Sequence, residues 1–304
     1  MAQKFHDVVV AIKELRIQGA EGVAREGVHA LLLVLKESCA VTREALLAEL
    51  YHAREQLIAA RPTEPCLRNA LSYVFHNIHS YTDDHNFYQG IQERIREVVF
   101  YLDSSQALIA KFGAAKIRNN FIVYTHCHSS TVVSILVAAK KQGKKFVVHN
   151  TETRPLYQGR RTAAELVAAG IPVLHYVDSA ARLAMKDAHL CLFGSDAITY
   201  DAVYNKVGSG MFAELLHTRK IPLYVCTNSW KFDPHITKRH KEVVEERASY
   251  EVWKDAPRGV HIKDPAFEPI ILPHVTAIIS EFGVMTPLTF LKTVKKKYSW
   301  MGKA

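Results

Sequence analysis

The seven residues Thr125-His126-Cys127-His128-Ser129-Ser130-Thr131 gather one thiol, two imidazoles and four hydroxyls. They follow an apolar run at 121–124 and precede a helix-like stretch at 132–142, so Cys127 stands where a strand turns into a helix. The hydroxyls of Ser129, Ser130 and Thr131, with the free amides of a first helical turn, can hold a phosphate, and the same helix end lowers a thiol's pKa. A thiolate base is one reading of Cys127; a small buried hydrophobe beside an ordinary N-cap is the other. His126 and His128 invite a metal, but zinc needs three or four ligands and no second His/Cys pair with ligand spacing follows, so no metal site is assigned.

Asp196 is the second reactive group. It leaves the apolar run 190–193 through Gly194 and Ser195 and precedes Ala197 and Ile198, surroundings that disfavour the charged form and would let the carboxyl donate a proton. The competing role is a turn cap, which is the role assigned to Asp178 before Ser179, Ala180 and Ala181. Arg154 lies on a loop with Arg160 and Arg161, Lys206 follows Asn205 and precedes Val207-Gly208-Ser209-Gly210, and Lys231 follows Trp230. Guanidinium forks and ammonium charges suit phosphate oxygens, and the glycines would let backbone approach an anion. Lys140-Lys141, Lys144-Lys145, Lys238-Arg239 and the lysines at 295–297 read instead as helix ends or exposed faces, so nucleic acid is not the expected partner.

These residues need elements to position them. Up to Ile117 apolar residues recur at helical spacing, as in Leu46, Leu47, Leu50, Tyr51, Leu57 and Ile58, which predicts five helices broken at Gln18-Gly19, Val41-Thr42, Arg61-Pro62-Thr63 and Thr82-Asp83-Asp84. From Asn120 short apolar runs at 121–124, 146–149, 173–177, 190–193, 223–226 and 277–280 alternate with helix-like stretches, among them 162–169. That alternation predicts an N-terminal helical domain, 1–117, followed by a Rossmann-like, doubly wound, mainly parallel α/β domain, 118–304. Residues 238–269 are charged, then Pro-bearing, and are expected to run over the surface. Ligands of open α/β sheets bind beyond the carboxyl ends of the strands, and the reactive residues above fall there.

Composition sets the outer limits. The 304 residues are 48% apolar and 23% charged, which excludes disorder and suggests two domains, and a net charge of +9 favours anionic partners. The longest aliphatic run, 30–35, is far short of the roughly 20 residues that cross a bilayer, so no membrane association is expected. Residues 8–12 are too brief for the apolar core of a signal peptide. Five cysteines without a CxxC pair read as free thiols in a reducing, cytoplasmic compartment.

The 125–131 string, taken with Thr151-Glu152-Thr153-Arg154-Pro155, Gln158-Gly159-Arg160, Gly170-Ile171-Pro172, Val177-Asp178-Ser179-Ala180, Gly194-Ser195-Asp196-Ala197-Ile198 and Asn205-Lys206, resembles a known family. It is the family joining the regulatory subunits of translation initiation factor 2B to sugar-phosphate aldose–ketose isomerases. Lys231-Phe232-Asp233-Pro234, Asp264-Pro265-Ala266-Phe267, Glu281-Phe282-Gly283 and Pro287 extend the resemblance over most of the chain. Within the family it resembles the archaeal isomerases of ribose 1,5-bisphosphate, which carry cysteine and aspartate at the positions of Cys127 and Asp196, where regulatory subunits usually lack the pair.

The resemblance implies conversion of α-D-ribose 1,5-bisphosphate to ribulose 1,5-bisphosphate in nucleotide (AMP) degradation, through a cis-enediolate, with Cys127 as base and Asp196 as acid. It implies substrate contacts from Arg61, Ser129 to Thr131, Asn205, Lys206 and Lys231, to which the residue reading adds Arg154. A phosphorylated pentose is the expected partner, no cofactor is required, and a homo-oligomer is implied, a dimer or a trimer of dimers. One turn departs from the isomerase pattern. Where the isomerases carry Arg-Gly-Ala near the N-terminus, this chain has Gln18-Gly19-Ala20-Glu21, closer to the regulatory pattern, with Arg16 and Arg25 as nearby cations. Two other readings follow: a non-catalytic regulatory subunit binding a nucleotide or sugar phosphate, and an isomerase of 5-methylthioribose 1-phosphate, which would need an apolar pocket in place of the second phosphate site.

Overall fold

A computed structural model describes residues 3–80, 84–236 and 245–302. Thr82, Asp83, Lys238 and Arg239, and the first part of the expected surface excursion, lie outside the described residues. The chain divides into two compact units, one of Met1–Ser104 with Trp230–His235 and Lys295–Ala304, the other of Ser105–Ser229 with Ile236–Val294.

The first unit is helical, and its helices begin and end where the sequence breaks fall. They are α1 (Gln3–Lys13), α2 (Ala20–Glu37), α3 (Arg43–Ala60), α4 (Pro65–Phe75) and α5 (Asp84–Ala114), whose last turns belong to the second unit. Gly19 turns the chain into α2 at φ +80°, a region open to glycine. Thr42 caps α3 by accepting from the Ala45 amide at 3.2 Å, and Pro65 opens α4 where its missing N–H costs nothing. Each helix buries one stripe: Val23, Val28 and Leu31 from α2, Leu50 and Leu57 from α3, Leu67 and Leu71 from α4, and Ile91, Ile95, Val98 and Leu102 from α5. Trp230 and Trp300 complete this core, the first stacked on Tyr101 at 4.0 Å between ring centroids.

The second unit is a seven-stranded sheet. Its strands are β1 (Phe121–Thr125), β2 (Phe146–Thr151), β3 (Val173–Tyr176), β4 (Leu190–Phe193), β7 (Leu223–Cys226), β9 (Ala277–Ser280) and β10 (Gly283–Met285), in spatial order β10-β9-β7-β4-β1-β2-β3. Every pairing is parallel except that of β10 with β9. The connecting helices include α6 (Ser130–Lys141), α7 (Gln158–Ala168), the single turn α8 (Ala181–Ala184) and α9 (Ser209–Thr218). From β1 the order runs one way to β2 and β3 and the other way to β4, β7 and β9. Right-handed crossovers combined with such a reversal wind helices onto both faces of a sheet and open a crevice at the reversal, here between β1 and β4.

The sequence pattern did not reveal a second sheet. It is three-stranded and antiparallel, made of β5 (Ala197–Ile198), β6 (Ala202–Lys206) and β8 (Phe267–Ile271), in the order β5-β6-β8. The surface excursion expected over 238–269 therefore ends differently: after one turn, α10 (Ser249–Val252), the chain enters β8, with Pro269 opposite Tyr204. A proline that lacks an N–H hides such a strand from propensity, and as the sheet's edge strand β8 tolerates it. The remaining helix, α11 (Pro287–Lys297), buries Phe290, Leu291 and Val294. Among the described residues no helix is long and apolar enough to cross a membrane, and the five cysteines are free thiols.

Candidate active site

The crevice between β1 and β4 brings Cys127 and Asp196 to neighbouring strand ends. Val123 pairs with Leu190 and Tyr124 with Cys191, so Cys127 lies three residues beyond one strand partner and Asp196 five beyond the other. Gly194, between β4 and Asp196, packs on Ser129: a Cβ there would stand 2.7 Å from the Ser129 hydroxyl. Ser129 is the N-cap of α6, accepting from the Val132 amide at 3.4 Å, so the phosphate-type loop after β1 and the carboxylate-bearing loop after β4 touch. Ser195 adds a tie to the next strand end by donating to Thr227 at 2.8 Å, and the Asp196 amide is held by the Tyr204 carbonyl at 2.9 Å.

Cys127 takes a left-handed backbone, φ +65°, and so does Thr153 at φ +66°. Left-handed conformations are uncommon for side chains with a Cβ and costly for a β-branched one, so the surroundings must hold them. Here they hold each other. The Cys127 amide donates to the Thr153 hydroxyl at 3.0 Å, and the Thr162 hydroxyl donates to the Cys127 carbonyl at 2.9 Å. The Asp178 carboxylate accepts from the Thr153 and Arg154 amides at 2.8 and 2.7 Å. Asp178 is thus a cap, as its sequence context suggested, but of the loop after β2 rather than of its own turn.

His126 anchors the same loops from below. The ring is 2% exposed, with Nδ1 2.7 Å from the Thr151 hydroxyl and Nε2 3.1 Å from the Val207 carbonyl. A carbonyl can only accept, so Nε2 carries the proton and Nδ1 accepts from Thr151. Burial lowers the His126 pKa to about 4, and the ring is neutral at pH 7. His128 is shifted down by burial as well and pairs with the Thr162 hydroxyl at 3.1 Å. Both imidazoles serve threonines. Among the described residues no group of three His, Cys, Asp or Glu is placed to hold a metal ion.

One electrostatic expectation is overturned. A helix N-terminus and a nearby cation were to lower the Cys127 pKa, but burial pushes the thiol up to about 12. The His128 amide, donating to the sulfur, and the Lys206 ammonium act against the rise, while the Asp196 and Asp178 carboxylates add to it. Desolvation outweighs the helix end, whose effect falls off within a turn. Cys127 therefore rests as a thiol, with Asp196 and Lys206 both within electrostatic reach of the sulfur.

The other predicted residues divide between the units. In the second unit Asn205 donates to Ser209 at 2.8 Å, and Gly208 caps α9 at φ +100°. Lys206 is 6% exposed, and its ammonium makes no hydrogen bond or ion pair among the described residues. Arg154 is exposed, but its guanidinium donates to the Val252 carbonyl at 2.9 Å and the Tyr157 hydroxyl at 2.8 Å. In the first unit Arg61 ends α3, 3.4 Å from buried Glu64. Lys231 is buried in a segment held at two points, because the Asn69 amide donates to the Trp230 and Phe232 carbonyls at 2.7 and 2.8 Å, and Arg68 pairs with Asp233. Gln18 folds back onto the Leu15 carbonyl at 2.8 Å, Ala20 is buried, and Glu21 lies in the first turn of α2. The two cations considered beside that turn are engaged, Arg16 with Glu14 at 3.0 Å and Arg25 with Asp103. Asn69 carries no motif signal, and Thr153 and Asp264 carry none beyond membership of a longer string.

Comparison with known proteins follows the same lines. Over residues 16–287 the sequence matches the model of the initiation factor 2 subunit family. It is 32% identical to a ribose 1,5-bisphosphate isomerase of Thermococcus kodakarensis, across 97% of this chain and 94% of that protein. A methylthioribose-1-phosphate isomerase of a Thermoanaerobacter species is 29% identical, across 93% and 88%. Among solved structures, the translation initiation factor eIF-2B of Pyrococcus horikoshii superposes with a TM-score of 0.81 at 28% identity, covering 94% of this chain and 98% of that one. A mainly parallel sheet with reactive groups at its reversal, a helical N-terminal region and this run of matching motifs lead to one conclusion: the chain belongs to the initiation factor 2 subunit family.

Proposed function

We propose that the protein is an aldose–ketose isomerase converting α-D-ribose 1,5-bisphosphate to ribulose 1,5-bisphosphate, with Cys127 and Asp196 exchanging protons with the substrate. The observation that carries this reading is the placement of a thiol and a carboxyl on adjacent strand ends at the sheet reversal. A site that only binds needs neither. The N-terminus of α6 suits a phosphate group, and the ammonium of Lys206, within electrostatic reach of Cys127, suits the other oxygens of a sugar phosphate.

The proton count of the pair fits the chemistry. The thiol rests protonated, and passing its proton from Cys127 to Asp196 yields the thiolate base and carboxylic acid that the reaction needs. Asp196 then protonates the ring oxygen as the C1–O bond opens, and Cys127 removes the proton from C2. The 2-hydroxyl proton returns to Asp196 and the proton on sulfur is delivered to C1, which leaves a ketone at C2 and the phosphate ester on a new CH2 group. No electron leaves the substrate.

The test is direct. Purified protein incubated with ribose 1,5-bisphosphate should form ribulose 1,5-bisphosphate, and from substrate deuterated at C2 the label should be carried to C1, detected by mass spectrometry. Cys127→Ser and Asp196→Asn should each reduce turnover by at least about 1,000-fold with circular dichroism unchanged. Near-normal turnover in either variant rejects the assignment. A regulatory reading draws on the Gln18 turn, and it prevails if wild-type protein binds the sugar phosphate without turning it over.

A further inference from the structure

Two buried, oppositely charged side chains lie close together on β6 and at the entry to β8 without pairing. Lys206 sits opposite Phe267 in the antiparallel ladder, and the next rung is closed by the Val207 amide on the Ala266 carbonyl at 3.0 Å, which brings Asp264 up beside the end of β6. Asp264 is 5% exposed and held from behind by the Arg247 amide, which donates to its carbonyl at 2.9 Å. Its Oδ2 is buried with no hydrogen-bond partner, and Lys206 also lacks one among the described residues. Each feels the other's charge, yet they form no ion pair. An orphaned carboxylate oxygen in the interior is costly, and so is an unpaired ammonium; both persist where a ligand supplies the missing partners.

We infer that Asp264 is a substrate-binding residue whose free oxygen accepts a hydrogen bond from a pentose hydroxyl, while Lys206 donates to the same end of the ligand. A hydroxyl is the group that can satisfy both sides, since it donates to a carboxylate and accepts from an ammonium. A phosphate oxygen would suit Lys206 but be repelled by Asp264. Burial, with the nearby Glu251 carboxylate, raises the Asp264 pKa, while the cations Lys206, Arg247 and Arg154 oppose the rise. The inference rests on the proposed sugar-phosphate reading and adds selection by a hydroxyl.

The experiment compares ribose 5-phosphate with 2-deoxyribose 5-phosphate and 3-deoxyribose 5-phosphate as ligands, measured by calorimetry so that turnover is not required. Wild-type protein should bind one of the deoxy sugars roughly 10- to 100-fold more weakly than ribose 5-phosphate. In Asp264→Leu that penalty should shrink to less than about threefold. Asp264→Asn, which keeps the volume, guards against a folding defect and should reduce the discrimination by about tenfold. Equal penalties in wild type and both variants, or none in wild type, overturn the inference. A penalty that follows Asp264 in a protein that fails to isomerise ribose 1,5-bisphosphate would remove the enzymatic reading and keep the hydroxyl contact.

Discussion

The loops after β1 and β2 and the β6–β8 pair are both rich in polar side chains, and they treat them in opposite ways. Around Cys127 the loops are tied together: His126 holds Thr151 and Val207, Thr153 holds Cys127, and Asp178 holds two amides. At the end of β6 and the entry to β8, Asp264 Oδ2 is buried without a partner and the Lys206 ammonium makes no hydrogen bond among the described residues. The first region fixes where a reacting atom must be. The second is incomplete as protein, and its deficit gives the chemical outline of what should arrive.

The contrast can be broken from the saturated side. Gly159, in the first turn of α7, lies so close to the end of β2 that a Cβ would stand 1.8 Å from the Thr151 carbonyl oxygen. Backbone cannot yield as a flexible side chain would. Gly159→Ala should therefore cost at least ~3 kcal/mol in urea unfolding, through displacement of the loop that seats Thr153.

Acid should loosen the same region by a comparable but smaller amount. His126 has a folded-state pKa of about 4 against 6.5 when unfolded, so between these values the unfolded chain binds a proton that the folded chain does not. Stability contributed by the neutral ring is complete above pH 6.5 and declines as pH falls towards 4, by about 3 kcal/mol at most. Tm measured between pH 7 and 4 should show this slope, and His126→Gln should flatten it.

The smallest change in stability is expected on the other side, and it sharpens the contrast most. Lys206→Met removes an unpaired buried charge and should shift stability by less than ~1 kcal/mol, or raise it. Affinity for sugar phosphates, measured on the same protein, should fall about 10- to 100-fold. A large loss of stability would mean that Lys206 belongs to the scaffold after all.

The sequence displays the main sheet almost residue by residue. Strands β4, β7 and β9 coincide with apolar runs because strands covered on both faces have no polar side to blur them. Helix breaks at Gly19, Thr42 and Arg61-Pro62-Thr63 were equally visible, since each is a local chemical event. The second sheet was hidden because β6 ends in Tyr204, Asn205 and Lys206, and β8 carries Glu268 and Pro269, compositions that propensity assigns to loops. That Cys127 and Asp196 both follow the carboxyl ends of sheet strands could be read from one rule about strand ends. The buried environment that sets the thiol's pKa could not be read from neighbours in sequence, because the closing groups come from positions as far apart as Thr153 and Lys206.

The helical unit is not one stretch of chain. Its core is completed by Trp230 and Trp300, which arrive from two later segments, and Lys231 lies between two carbonyls gripped by Asn69. A fragment ending near residue 104 would consequently lack two of its largest core side chains. Gene fusion, truncation or modular exchange cannot lift this unit out by a single cut, and any crossover that preserves folding must carry all three passages together.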